Sequence, residues 1–185
     1  MQEQSFEDVG EVIAKREISL NVGVILERRK SKHPWGDWVW RVVDVVPGAR
    51  KPNGWTKIGE GDEWTHFHID TQPLNLHRKE TEALKLNIQS GNPELYVVLR
   101  EREDEDDEPF EVHMVTASSY DAQDFADTSE EIVEKTPMPP AIFEWISAFV
   151  QEHHREEVFK KRKRDKLDVE EHKFGKDPIF VTGKR

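Results

Sequence analysis

Ile18-Ser19-Leu20-Asn21-Val22-Gly23-Val24-Ile25-Leu26 is the run that decides the fold. Leu20, Val22, Val24 and Leu26 alternate with Ser19, Asn21, Gly23 and Ile25. Successive side chains leave a strand on opposite faces, so this period of two marks a half-buried strand. Gly23 marks a bulge or a close backbone approach within it. A basic turn, Glu27 to Pro34, leads to a second strand pattern from Trp38 to Val46, closed by Pro47-Gly48. Two strands joined by a polar turn read as an antiparallel hairpin.

Further along, Trp55 to Ile58 is a short strand, and Trp64, His66 and His68 alternate with Thr65, Phe67 and Ile69. That run is expected to turn at Thr71-Gln72-Pro73 and give way to a short helix over Lys79–Leu84. Leu95 to Leu99 is an apolar strand. The carboxylate run from Glu101 to Glu108 repels itself and stays solvated, so it reads as a hairpin loop. Phe110 to Thr116 then returns against residues 95–101. Ser118 or Ser119 caps a short helix over Tyr120–Phe125, and Glu131–Glu134 is one more strand. After Met138-Pro139-Pro140, the residues Ile142, Trp145, Ile146, Phe149, Val150 and His153 fall on one helical face.

Strands come first, short helices interrupt them, and a longer helix comes late. The expected fold class is therefore α+β. It has a curled antiparallel β-sheet or small barrel, a long amphipathic helix in the C-terminal half and short inserted helices. The expected organisation is a flexible lead-in over 1–16, a single α+β domain over 17–158, and a basic then extended tail over 159–185.

Composition narrows the function classes. A formal net charge of −11 disfavours generic affinity for nucleic acid. The chain has no cysteine, which excludes disulfides, thiolate metal sites and a cysteine nucleophile. No apolar run approaches the roughly 20 residues a membrane span needs. Met1 to Asp8 is acidic and polar, the reverse of a secretory signal, so a cytoplasmic protein is expected.

Four constellations carry chemistry. His66 and His68 share a strand face, with His77 beyond them and Glu80 three residues further; imidazoles with a carboxylate suit Zn, Fe or Ni. The same face also reads as the solvent side of an amphipathic strand. Arg78 and Lys79 sit where an anionic cofactor group would meet a helix N-terminus, but Glu80 and Glu82 suit that helix end equally. Trp35, Trp38, Trp40, Trp55 and Trp64, with Arg28, Arg29, Lys30, Lys32 and Arg41 as neighbours, line a nucleotide or partner groove or fill the core and its ends. Of these, Trp35 is the candidate for partner contact. Lys160, Lys161, Arg162, Lys163 and Arg164 form a basic block for an acidic partner, RNA or a phosphate-bearing ligand, or for the carboxylates at 101–108. No Walker loop, G-x-G-x-x-G, G-x-S-x-G or H-E-x-x-H occurs, and no catalytic constellation stands out.

Several segments act together as a signature: Val24 to Arg29, Pro34-Trp35, Leu76 to Glu82, Tyr96 to Arg100, Val115 to Tyr120, Pro137 to Pro139, and Phe159 to Arg164. As a set they resemble a bacterial family of unknown function, often encoded beside genes for molybdenum- or tungsten-dependent formate dehydrogenases. The resemblance covers roughly residues 20–166 and leaves out the 101–108 loop. It implies an accessory or assembly role in molybdoenzyme maturation, through binding to a formate dehydrogenase subunit or a maturation factor. It brings no catalytic residue and names no cofactor. The alternative is a protein that handles a metal through His66, His68, His77 and Glu80, or an anionic cofactor through Arg78 and Lys79.

Overall fold

The computed structural model describes residues 17–32, 38–102, 108–128 and 130–155. The expected lead-in, the expected tail with its basic block, and Trp35 lie outside them. Strand β1 (Glu17–Lys30) is central: it pairs antiparallel with β2 (Trp38–Pro47) on one side and with β4 (Trp64–His77) on the other. Strand β3 (Thr56–Glu60) adds to the outer edge of β4, giving the order β2-β1-β4-β3. A three-residue 3-10 turn (Arg78–Glu80) leads into α1 (Thr81–Ile88). Strand β5 (Glu94–Glu101) then pairs with β6 (Phe110–Thr116) and β7 (Ile132–Pro137) to give a second sheet, β6-β5-β7. Helix α2 (Ser119–Thr128) lies between β6 and β7 in sequence, and α3 (Pro140–His153) follows β7. Among the described residues the fold is α+β, with two antiparallel sheets and three helices.

Burial follows the alternation in β1. Val22, Val24 and Leu26 are fully buried, and Ile18 and Leu20 pack partly against the same core. Leu74 and Leu76 of β4, Val42 and Val45 of β2, and Leu95, Val97 and Leu99 of β5 join them, with Ile142, Ile146, Phe149 and Val150 of α3. One core therefore serves both sheets. Tyr96 and Val98, on the alternate positions of β5, are buried but face the other way, towards α2. Ser118 Oγ accepts the Asp121 N–H at 3.3 Å, which caps α2.

Of the two expected sheet forms, a small barrel is not formed. Among the described residues the backbone ladders stop at the edges of each sheet, and the bonds between sheets come from side chains. Gln72 Nε2 donates to the Val112 carbonyl at 3.3 Å, and Thr136 Oγ1 donates to the Val43 carbonyl at 3.5 Å. The expected turn at Thr71-Gln72-Pro73 is also absent, because β4 runs on through it to His77. Pro73 is tolerated there because β3 ends opposite His68, so the missing N–H leaves no ladder bond unmade.

Gly23 has a steric reason. A Cβ on it would lie 2.7 Å from Ala49 Cβ and 2.7 Å from His68 Nε2. The register of β1 against β4 shifts between Val24 and Ile25, immediately beyond that contact.

A candidate docking site at the hairpin end of the larger sheet

The two faces of β1 carry different chemistry at its C-terminal end. Arg28 falls on the same face as Leu26, above the end of the core. There Trp40, Trp55, Phe67 and Phe110 pack together, with Trp40 meeting Trp55 edge-on at 5.6 Å and Phe110 at 6.2 Å between ring centroids. The Arg28 guanidinium lies 4.6 Å from the Trp38 ring centroid, 5.4 Å from Phe67 and 5.7 Å from Trp40. This is a cation held among aromatic faces. Trp38 is 48% exposed, so the slot opens on the surface. The aromatic set thus divides: Trp40 and Trp55 finish the core, and Trp38 stays accessible beside Arg28.

Glu27 falls on the opposite face. The register sets Arg41 of β2 and His66 of β4 directly across from it, and Arg29 lies two residues along on the same face. Glu27 Oε1 accepts from Arg29 Nε at 3.0 Å and Arg41 Nε at 2.9 Å. Its Oε2 accepts from Arg29 at 3.2 Å and lies 3.0 Å from His66 Nε2. The Trp64 ring covers His66, with centroids 4.2 Å apart. Glu27 is consequently buried, at 3% exposure, although it lies on the outer face of the sheet. The hydrogen bonds from Arg29, then from His66, and the charge of Arg41 hold its carboxyl down to about 2, against the upward push of burial.

The proposed metal set is not assembled. His66 is engaged with Glu27. His68 Nε2 turns back over Gly23 to within 3.0 Å of both the Asp70 carbonyl and Thr71 Oγ1. His77 pairs with Glu17 at 3.4 Å at the far end of β4, roughly 35 Å of strand from His66. Burial and the nearby Asp121 raise the carboxyl of Glu80, which precedes α1. Among the described residues, no group of three or more His, Asp or Glu side chains is placed to hold a metal ion. Arg78 and Lys79 are exposed on the 3-10 turn, and no side-chain cap bond is made at the start of α1. Glu27 escaped the sequence reading. A single Glu between Leu26 and a pair of arginines looks like a solvated strand residue until pairing brings Arg41 and His66 to it.

Fold and site together define a small α+β domain with a cationic, aromatic-lined end. The chain belongs to the family described as Protein of unknown function (DUF3305), whose model matches residues 21–163. No curated protein and no solved structure matches it. Among the described residues, no helix is long and apolar enough to cross a membrane.

Proposed function

We propose that this protein acts by binding another protein, as a cytoplasmic accessory or assembly factor for a molybdenum- or tungsten-dependent formate dehydrogenase. The observation that carries the binding reading is the Arg28–Trp38 stack at an open edge of the larger sheet, with Trp38 exposed and Lys30 on the same face. Tryptophan and arginine dominate the energetics of protein interfaces, because each supplies a large rigid contact area together with directed polar groups. The resemblance of the Val24–Arg29, Leu76–Glu82 and Phe159–Arg164 segments supplies the formate dehydrogenase context.

Deletion of the gene tests this reading. Formate dehydrogenase activity should fall while the enzyme's transcript level holds, and the full-length chain should capture a subunit of that enzyme or one of its maturation factors. Full enzyme activity in the deletion strain would sink the proposal.

A further inference from the structure

We infer that the partner docks through an acidic segment, one of whose carboxylates pairs with Arg28 in the slot formed by Trp38, Trp40 and Phe67. This inference deepens the protein-binding reading and rests on it.

Arg28 stands apart from the arginines near it. Arg29 and Arg41 both reach Glu27, and Arg100 reaches Glu131 at 2.7 Å. Arg28 Nε is buried with no hydrogen-bond partner among the described residues. A guanidinium carries all its N–H groups in its own plane. Aromatic rings pack against Arg28. A carboxylate that meets the planar edge can engage two of those N–H groups at once. The buried Nε is out of a partner's reach, so it is the terminal nitrogens of Arg28 that a carboxylate would meet.

Local charge agrees. Arg28 and Lys30 fall on this face of β1 in a chain whose net charge is −11, while Arg29 and Arg41 lie on the other face against Glu27. Glu27 is already shared among three donors. The turn before β4, which carries Asp62 and Glu63, is joined here through the Lys30 N–H to the Glu63 carbonyl at 2.9 Å. An acidic stretch of protein meets the local cations at short range. Both anions meet the long-range repulsion of the chain, but a segment with a few carboxylates meets less of it than a nucleic acid charged along its whole length. Exposed Trp38 beside the slot supplies apolar contact for residues that flank the carboxylate.

The test uses fluorescence anisotropy with the full chain and a short labelled peptide rich in Glu and Leu. The comparison probes are the same peptide with Gln for Glu and an oligothymidylate of matching charge. Wild type should bind the acidic peptide and neither comparison probe. Arg28→Met and Trp38→Ala should each weaken binding at least about tenfold, while Arg50→Met, on a different surface, should not. Thermal unfolding checks that each variant is folded; Trp38→Ala, at an exposed position, decides the matter if Arg28→Met does not fold. Equal binding of the Gln peptide, no binding by wild type, unchanged affinity in the folded variants, or tighter binding of the oligothymidylate would each overturn the inference. The two readings fail separately. Capture of a formate dehydrogenase subunit that survives both substitutions keeps the function and discards this contact. Acidic-peptide binding through Arg28 in a chain whose deletion leaves the enzyme active does the reverse.

Discussion

Glu27 and His66 lie directly opposite each other on β1 and β4, with carboxylate Oε2 3.0 Å from imidazole Nε2. An ionised carboxylate only accepts, so His66 carries its proton on Nε2. Arg29 and Arg41 complete the set, and one buried acid thereby ties three strands together.

This arrangement makes stability acid-sensitive in a defined window. The folded carboxyl sits at about 2 against an ordinary 4.5, so its stabilisation is fully present above about 4.5. It is lost as pH falls through that value towards 2, and amounts to roughly 3 kcal/mol. Hydrogen bonding from Thr128 and the Arg100 partner also lower Glu131, which acts with the same sign. The raised carboxyl of Glu80 acts oppositely, costing stability at neutral pH and relieving it on acidification. Urea unfolding across that range should show a falling midpoint, and Glu27→Gln should flatten the fall. A slope that is unchanged in the variant would assign the acid transition elsewhere.

Gly23→Ala should destabilise the fold by about 1–3 kcal/mol, because the new methyl meets Ala49 Cβ and His68 Nε2 at 2.7 Å. The imidazole tip can move aside, whereas a backbone-fixed Cβ cannot. Adding Ala49→Gly to Gly23→Ala should therefore recover part of the loss, measurable as a coupling in a double-mutant cycle.

Asn87 is buried, and its Nδ2 donates to the carbonyls of Glu94 at 2.7 Å and Ala117 at 2.8 Å. Its Oδ1 accepts the Glu94 N–H at 3.0 Å. Asn87→Asp keeps the shape but turns the donating group into an acceptor that faces two carbonyls. The expected loss is about 3 kcal/mol at neutral pH, shrinking in acid as the carboxyl protonates. Equal stability of the two proteins at neutral pH would remove Asn87 as the clamp between α1 and the second sheet.

On α3, Ile146 is fully buried while Phe143 is 36% exposed. Ile146→Ala should cost about 2–5 kcal/mol, and Phe143→Ala clearly less. Comparable losses at the two positions would mean that α3 presents a different face to the core.

The sequence disclosed the strands better than their neighbours. Alternation located β1, the polar turn and Pro47-Gly48 bounded β2, and the carboxylate run separated β5 from β6, because these signals are local. It did not disclose that β7 pairs with the far side of β5, or that β4 continues through Pro73. Those outcomes depend on which edges remain free after other strands have paired. The site divided in the same way. The aromatic and basic residues of the hairpin stood out by composition, but the Glu27 cluster exists only through register. The pairing of His66 and His77 with different glutamates at opposite ends of β4 likewise depended on long-range placement.

The side-chain seams between the sheets carry a kinetic consequence. Gln72 meets Val112 across 40 residues of chain, and Thr136 meets Val43 across 93. Closing so large a loop has an entropic cost that is recovered only after both sheets exist. The β5–β6 hairpin, whose ends are near in sequence, is therefore expected to form before the Thr136–Val43 seam closes.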